Sequence, residues 1–193
     1  MRVTLFLKPL LMLSTVFLLS SCIPAALVAG ATAGGAILYD KRGFVTMNQD
    51  QNARVYAQRA LDNDDLLKDH AHVSVAVFNH IALLVGQVQT QDLRQQAEQR
   101  ITRIPNIQRV YNEITVGNPL SALQRTNDTW ITTKVRTMML SKPGLRSTNL
   151  KIITENGVVY LMGNVSRKQA TIAADVARRV RGVTKVVKVF EYE

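Results

Sequence analysis

An internal repeat constrains the fold of this chain more than any other feature of its sequence. The segment from Val73 to Val88 aligns with the segment from Leu150 to Val165. Each contains alternating apolar residues, a short polar turn and a second apolar run that includes a glycine. This pattern predicts two strands joined by a hairpin. Because the pattern occurs twice, each copy is expected to be one structural unit of the same design.

Residues with helical periodicity flank the hairpin in both copies. Those that precede it are Ala53, Ala57, Ala60 and Leu61 in the first copy and Ile131, Val135, Met138 and Met139 in the second. Those that follow it are Leu93, Ala97, Ile101 and Ile104 in the first copy and Ala170, Ala173, Ala177 and Val180 in the second. Apolar residues at spacings of three and four predict helices with one buried face. A last apolar segment in each copy predicts a third strand.

The predicted unit is therefore helix, strand, strand, helix, strand, and the fold class is α+β. Two helices of this kind can cover one face of a three-stranded sheet. The two units occupy residues 48–117 and 118–193, with the seam at Asn118-Pro119-Leu120-Ser121. Units of about 70 residues have modest cores, so we expect the two to pack on each other.

The N-terminus has the layout of a secretory signal peptide over residues 1–21. Arg2 and Lys8 precede an apolar run from Leu10 to Leu19. The run ends in Leu19-Ser20-Ser21-Cys22, which resembles the lipobox of bacterial lipoprotein precursors. We expect cleavage before Cys22, the only cysteine, and a covalent diacylglycerol and acyl chain on it, with no other cofactor. A plain signal peptide or an uncleaved anchor helix is the alternative, although the run is short for a membrane span.

The residues that follow the cysteine bear on localisation. Lipidated families use an aspartate after the cysteine as a retention signal for the inner membrane. Ile23 stands there instead, which favours the outer membrane, with the protein lipid-anchored on its periplasmic face. Residues 23–39 are rich in Ala, Gly and Val, and we interpret residues 22–47 as the lipidated cysteine and a flexible tether. A small-residue packing segment is the alternative.

Charge is distributed unevenly between the two predicted units. Residues 48–117 carry seven basic and eight acidic side chains, for a net charge of −1. Residues 118–193 carry thirteen basic and five acidic ones, for +8. Such asymmetry suggests that the second unit meets a polyanion. For an exported chain this means anionic phospholipid, lipopolysaccharide or acidic protein and not nucleic acid, and general solubility is the alternative.

Several stretches of the two units are similar to a known domain family. The hairpins end in Val85-Gly86-Gln87-Val88 and Met162-Gly163-Asn164-Val165, and the second unit closes with Gly182-Val183 and Val186. With the order of elements, these features resemble the BON (bacterial OsmY and nodulation) domain. The closest stretches are Asn127–Arg136, Thr154–Gly157 and Val110–Ile114. The resemblance covers about residues 48–193, and a lipobox followed by two such domains resembles the dual BON-domain outer-membrane lipoproteins.

The resemblance implies a non-enzymatic protein that supports outer-membrane integrity. Its second domain would bind anionic phospholipid, notably phosphatidylglycerol, through its first helix. The resemblance also implies localisation toward the division site and contact with the β-barrel assembly machinery, and we expect a monomer. Some relatives are called haemolysins, but nothing in this sequence resembles a pore-former.

A helical wheel of residues 128–141 separates the expected core stripe from a second face. That face carries Trp130, Thr133, Lys134, Thr137, Leu140 and Ser141. A tryptophan beside a lysine suits a membrane interface, because the indole lies at headgroup depth and the ammonium meets phosphate. Together with Lys142, just beyond the helix, these residues are the predicted phospholipid-binding site, and Arg146 adds long-range attraction. Packing of Trp130 against the other unit is the alternative.

The first helix of the first unit lacks this character. Three pairs of positions differ: Asn52 aligns with Trp130, Tyr56 with Lys134 and Asp62 with Leu140. The first copy therefore keeps the fold but loses both the apolar insertion and the charge.

Other polar clusters do not assemble into a catalytic or metal site. The histidines are His70, His72 and His80, and they lack the cysteine or carboxylate partners of a zinc site. The aspartates Asp62, Asp64, Asp65 and Asp69 lack the spacing of a calcium loop, so we interpret them as a polar loop. The arginines Arg178, Arg179 and Arg181 end a helix, where cations complement the dipole, with a supplementary anion site as the alternative.

Two further functions compete with lipid binding. A purely protein-binding scaffold would use the basic second unit to dock onto acidic envelope proteins. A hydrolytic or small-molecule-binding domain would need a deep polar pocket, which small apolar cores disfavour. No serine–histidine–acid set or nucleotide loop is found in the sequence, so we do not expect an enzyme.

Overall fold

The computed structural model describes residues 43–68 and 71–193. The predicted signal peptide, Cys22, His70 and most of the predicted tether lie outside these residues. The first described helix begins at Phe44 and is preceded by the extended residue Gly43. Residues 44–47, which the sequence assigned to the tether, are therefore helical.

The element order is the same in both domains. The first contains α1 (Phe44–Asp62), the one-turn helix α2 (Asp65–Lys68), β1 (Ala71–Phe78), β2 (Ile81–Val88), α3 (Gln91–Ile101) and β3 (Arg109–Val116). The second contains α4 (Ala122–Leu140), a 3-10 turn (Ser147–Asn149), β4 (Leu150–Glu155), β5 (Val158–Val165), α5 (Arg167–Arg178) and β6 (Lys185–Tyr192). The α+β class and the predicted order are confirmed. The periodicity did not predict α2 or the 3-10 turn, because a single turn is too short to show a period.

Each domain has one three-stranded sheet of mixed topology. β1 is antiparallel to β2, and β2 is parallel to β3. β4, β5 and β6 repeat this arrangement. The parallel pairs require a crossover, which α3 and α5 supply. Gly86 recurs as Gly163 because a Cβ at Gly86 would overlap the carbonyl oxygen of His72, and one at Gly163 would lie 2.5 Å from that of Asn149.

The hairpin turns adopt an uncommon backbone conformation. The two turn residues have positive φ in both domains, with 49° at Asn79, 64° at His80, 49° at Asn156 and 73° at Gly157. Positive φ at both positions is the geometry that matches the twist of a two-residue hairpin, and asparagine and glycine adopt it most readily. The N–H groups of these turns need acceptors where they are removed from water.

A buried aspartate from the first helix of each domain accepts those N–H groups. The carboxylate of Asp50 lies 2.7 and 2.9 Å from the two amide nitrogens of its turn. That of Asp128 lies 2.8 Å from each amide nitrogen of the other turn. The two aspartates are only 3% and 5% exposed, and they occupy the same position of the repeat. The first helix of each domain is thereby fixed to the tip of its hairpin.

Each domain has its own core between the helices and one face of the sheet. The side chains at the centre of the first core are Ala53, Ala57, Leu61, Val75, Leu84, Ala97 and Ile101. Those at the centre of the second are Ile131, Val135, Met139, Val159, Leu161, Ala173 and Ala177. The predicted helical stripes supply most of these residues, as expected for amphipathic helices on a sheet.

The opposite faces of the two sheets pack against each other. The buried side chains of this interface are Ala76, Phe78, Ile81, Leu83, Val85, Tyr160, Met162 and Val189. The packing of the two units that we expected is therefore present. It explains why every residue of β2 is buried, since both faces of that strand are covered. The helices are left on the two outer sides of the paired sheets.

Polar contacts accompany the apolar interface. Gln87 Nε2 donates to Glu155 Oε1 at 2.8 Å, and Gln87 Oε1 accepts from the backbone N–H of Leu120 at 3.1 Å. Lys151 Nζ donates to the carbonyl oxygen of Val77 at 3.0 Å. Gln87 thus links both domains and the segment that connects them. Burial raises the pKa of Glu155 above its ordinary value of 4.5, and the hydrogen bond from Gln87 offsets only part of this effect.

One aspartate of the cluster after α1 does not belong to a simple polar loop. Asp64 is buried, and its carboxylate accepts from the backbone N–H of Leu66 at 3.1 Å and from Gln96 Nε2 at 3.0 Å. Arg100 also forms an ion pair with this carboxylate, with Nη2 2.7 Å from Asp64 Oδ2. Burial by itself would raise the pKa of Asp64, but the hydrogen bonds and the arginine charge outweigh it and lower that pKa. This residue attaches α2 to α3.

Replacing Asp128 with asparagine should lower the free energy of unfolding by about 2–3 kcal/mol, because a hydrogen bond to a charged group contributes about 1.5–3 kcal/mol and an amide nitrogen cannot accept one. Urea unfolding measures the change. Asp175→Asn is the control, since it removes an exposed carboxylate paired with Arg178 at 3.2 Å and should cost under about 1 kcal/mol. Equal losses in the two variants would contradict the importance of the turn contact.

Replacing Glu155 with glutamine should raise the melting temperature at pH 7. Because the pKa of Glu155 is raised on folding, the folded protein binds more protons than the unfolded chain just above pH 4.5. The free energy of unfolding therefore falls as pH rises through that window. The variant lacks this loss. Between pH 4 and pH 7 the melting temperature of Glu155→Gln should therefore rise progressively above that of the parent. If the melting temperatures of the two proteins depended on pH in the same way across that range, folding would not raise the pKa of Glu155.

Candidate functional site

The helix α4 carries the predicted binding residues, and its ends are well defined. Ser121 accepts from the backbone N–H of Gln124 at 3.3 Å, while the Gln124 side chain accepts from the backbone N–H of Ser121 at 3.0 Å. This reciprocal capping box sets where the helix starts. Its buried side carries Asp128, Ile131, Val135 and Met139. The rotation of α4 about its axis is thereby fixed.

All the predicted phospholipid-binding residues are exposed. Trp130 is 48% exposed and Leu140 is 66% exposed; Thr133, Lys134, Thr137, Ser141 and Lys142 are also exposed. At about 100° per residue, the helical members lie on the side of α4 away from its buried residues, and Lys142 follows the last turn. We call this set, together with Leu123 and Met138 of the same helix, the Trp130 face.

A cation lies next to the indole on this face. Lys134 Nζ is 6.0 Å from the centroid of the Trp130 ring, at the outer limit of a cation–π contact. Residues separated by four positions are neighbours on a helix surface, so the contact follows from the local sequence. The pair places a positive charge beside a large, partly exposed apolar surface.

The threonine hydroxyls of the Trp130 face are turned toward the helix backbone. Thr133 and Thr137 each donate to the carbonyl oxygen four residues earlier, at 2.9 Å. The hydroxyl of Ser141 likewise donates to the Met138 carbonyl at 3.2 Å. Because these donors are satisfied within the helix, transfer of this face to a less polar medium leaves few unpaired groups. The sequence of α4 is rich in hydroxyl side chains, but their hydrogen bonds to the backbone make the surface of the helix less polar than its residue types suggest.

Two residues of α4 were assigned differently or overlooked by the sequence analysis. Met138 was predicted in the core stripe, but it is 36% exposed, because it lies at the edge between the buried and exposed sides. Leu123 was not predicted at all and is 80% exposed. It lies seven residues before Trp130, which is two turns along the same side. Both extend the apolar part of the Trp130 face.

Trp130 does not belong to the interface between the domains. That interface consists of side chains from the two sheets, whereas α4 covers the other face of its sheet. The corresponding surface of α1 has Asn52, Tyr56 and Asp62, which are also exposed. The first domain thus presents a neutral amide where the second presents an indole, although the helices are attached to their sheets in the same way.

The other candidate clusters remain separate in the structure. Among residues 43–68 and 71–193, no group of three or more histidine, cysteine or acidic side chains could hold a metal ion. The imidazole of His80 lies by its turn, with Nδ1 3.1 Å from the Asn106 carbonyl oxygen. In that part of the chain no helix is long and apolar enough to cross a membrane.

A polar groove lies along α3 in the first domain. Its volume is about 430 Å³, and its lining residues are Asp92, Gln95, Gln96, Gln99, Arg100 and Arg103. The groove is thus lined by one carboxylate, three amides and two guanidinium groups.

Comparison with known proteins agrees with the repeated architecture. The family model described as BON domain matches residues 49–118 and 127–193. These two spans cover more than half of the chain and coincide with the two copies of the fold. The fold and the sequence therefore define a tandem BON-domain protein.

Relatives extend this similarity over nearly the whole chain. The outer membrane lipoprotein DolP of Haemophilus influenzae is 34% identical over 96% of this chain and 95% of its own length. The 21 kDa hemolysin of Actinobacillus pleuropneumoniae is 37% identical over 79% of each chain. The chain belongs to the BON domain family and, within it, to the DolP group of outer-membrane lipoproteins. The BON domain match and the DolP name point to a lipoprotein family that is not enzymatic.

Similarity to solved structures is much weaker. The C-terminal domain of CdsD, the structural protein of the type III secretion system of Chlamydia trachomatis, is 8% identical with a TM-score of 0.30. The match covers 70% of this chain and 94% of that domain. A similarity at this level carries no inference about function.

Replacing Thr133 and Thr137 together with valine should change the free energy of unfolding by less than about 0.5 kcal/mol, because each hydroxyl bonds only to its own helix. Thr132→Val is the matched control. Its hydroxyl lies 2.7 Å from that of Thr154 on β4, so the loss should be about 1 kcal/mol. Urea unfolding compares the variants, and a larger loss from the double variant would show that the outward hydroxyls have other partners.

Proposed function

We propose that this protein is a non-enzymatic, lipid-anchored outer-membrane lipoprotein that maintains envelope integrity, and that its second domain binds anionic phospholipid through α4. The observation that carries the proposal is the Trp130 face, on which an exposed indole lies beside Lys134. The phospholipid is of the phosphatidylglycerol type. The acyl chains on Cys22 hold the protein, a monomer, at the periplasmic face of the membrane.

The chemistry of the Trp130 face supports an interfacial contact. Tryptophan is favoured at the boundary between headgroups and acyl chains, where its ring is partly buried and its N–H stays hydrated. Leu140 and Leu123 add apolar surface, and the threonine hydroxyls are already satisfied by backbone carbonyls. Each lysine near an anionic surface contributes about 1 kcal/mol. Such a contact is peripheral, weak and sensitive to salt.

Anchoring by Cys22 changes what this contact has to do. A protein already held at one leaflet meets that leaflet at a high effective concentration. A weak helix–lipid contact is then sufficient to change where on the membrane the protein stays. The acyl chains select the membrane, and the Trp130 face selects regions of it that are rich in anionic lipid. Enrichment at the division site is part of this proposal.

A contact with the β-barrel assembly machinery is the second part of the proposal. Its support is the family resemblance, together with the net charge of +8 on residues 118–193, which suits an acidic protein surface. A purely protein-binding scaffold would use this charge without direct lipid recognition. Lipid binding through α4 and a purely protein-binding scaffold differ in one measurable respect. Only lipid binding requires the unlipidated chain to bind vesicles.

Replacing Trp130 with glutamate should weaken binding to phosphatidylglycerol vesicles on the order of tenfold or more, because a charge replaces the apolar group at the interface. The assay uses residues 22–193 with Cys22→Ser, so that no acyl chain contributes. Asn52→Glu is the matched control, because it adds the same charge at the equivalent position of α1, and it should bind nearly as the parent does.

Vesicle sedimentation gives the affinity, and the emission of Trp130 should shift to shorter wavelength on binding in the parent and in Asn52→Glu. Equal binding by a folded Trp130→Glu variant would exclude this helix as the lipid contact. Absence of vesicle binding by the parent, with co-purification of a barrel-assembly component, would favour the protein-binding scaffold.

A further inference from the structure

The loop between α5 and β6 lies beside α4. Gly182 in this loop has a φ of +93°, and a Cβ placed on it would be 3.0 Å from Ile131 Cδ1 and 4.0 Å from Asn127 Nδ2. Asn127, Trp130 and Lys134 are exposed and are neighbours on the surface of α4, since Trp130 lies three positions after Asn127 and four before Lys134. The loop therefore borders the flank of the Trp130 face that carries Lys134.

Two exposed arginines belong to this loop and have no acidic partner in the described part of the chain. Arg178, the last residue of α5, pairs with Asp175 at 3.2 Å. Arg179 and Arg181 follow it, are exposed, and form no ion pair among residues 43–68 and 71–193. Arg178 is the basic residue in the last turn of α5, where it can complement the helix dipole. Arg179 and Arg181 are left available to an external anion.

The first domain provides an internal comparison for this loop. Asn106 has a φ of 64° and occupies the place of Gly182, so the turn has the same course in both domains. Arg103 corresponds to Arg179, but Pro105 stands where the second domain has Arg181. On the adjacent helix, Tyr56 replaces Lys134. Of the cations that border the Trp130 face, Arg181 and Lys134 are thus specific to the second domain, whereas Arg179 has an equivalent in the first.

We propose that Arg179 and Arg181 form a phosphate-binding site for the headgroup of an anionic phospholipid, with Asn127 and Lys134 at its α4 side. The inference rests on the proposed lipid-binding function and adds a second element, the α5–β6 loop, to a contact otherwise confined to α4. Trp130 and Leu123 enter the interface, and the loop arginines hold the phosphodiester at headgroup depth.

The chemistry of arginine suits this role better than that of lysine. A guanidinium presents its N–H donors in a planar fork and can bind two phosphate oxygens at once, whereas an ammonium acts as a point charge. The Asn127 amide adds an uncharged donor next to the loop. Two arginines and one lysine around one phosphate favour a lipid with net negative charge, because a zwitterionic headgroup brings its own ammonium into the same place.

The test uses residues 22–193 with Cys22→Ser and two kinds of vesicle, one with phosphatidylglycerol in phosphatidylethanolamine and one of phosphatidylcholine alone. The Arg179→Gln/Arg181→Gln double variant should bind the anionic vesicles roughly tenfold more weakly, as expected for two cations near an anionic surface. The matched control is Arg103→Gln/Arg109→Gln, which removes two exposed charges from the first domain and should bind within about twofold of the parent. Phosphatidylcholine vesicles should bind none of these proteins.

A third variant separates charge from geometry and protects against loss of folding. Arg179→Lys/Arg181→Lys keeps both charges at the end of α5, and thermal melts should match the parent. Its binding should remain about threefold weaker, because the planar fork is lost. Full recovery by this variant would overturn the bidentate contact.

The outcomes distinguish this inference from the function on which it rests. If the glutamine double variant binds like its first-domain control while Trp130→Glu binds about tenfold more weakly than the parent, the phosphate site is wrong and the lipid contact of α4 stands. If Trp130→Glu also binds like the parent, both are wrong. The site is supported if Arg179→Gln/Arg181→Gln binds the anionic vesicles more weakly than its first-domain control does. The emission of Trp130 in that variant should still shift at saturating lipid.

Discussion

The contact between one buried aspartate and one hairpin turn determines the arrangement of each domain. Asp50 and Asp128 accept both N–H groups of turns whose residues have positive φ. A carboxylate removed from water has to be compensated by donors, and a turn N–H removed from water has to be compensated by an acceptor. Each group satisfies the other. The helix can therefore neither slide along the sheet nor rotate without leaving both unpaired.

This constraint decides which side of the helix remains exposed. With Asp128 on the buried side of α4, Ile131, Val135 and Met139 follow it into the core, and Trp130 is directed outward. The sheets meanwhile bury their second faces against each other, so the outer side of each helix layer stays exposed within the described part of the chain. The Trp130 face is thus a consequence of packing elsewhere in the molecule. The contact that locks the helix also makes its outer surface available for another function.

The two domains show how one scaffold acquires different surfaces. Sequence periodicity predicted the helices and strands well, because amphipathic patterns reflect which side is buried. It misplaced Met138, since a wheel does not resolve residues at the border between two sides, and it missed Leu123, which precedes the recognisable stripe. It also gave Asp128 no role, although an aspartate at the same position of both repeats was a usable signal. Asp64 was taken for part of a polar loop because its partners, Gln96 and Arg100, lie on a later helix.

The sequence by itself determined the duplication, the order of the elements, the charge difference between the halves and the candidate residues on α4. These are local or compositional properties, and period and charge can be read along a chain. Only the tertiary structure decided that Trp130 faces away from the other domain, and that the α5–β6 loop lies beside α4. Those facts depend on contacts between residues far apart in sequence, such as Gly182 beside Asn127 and Asp128 beneath its turn. No periodicity encodes such contacts, because they arise only when the helices settle on the sheet.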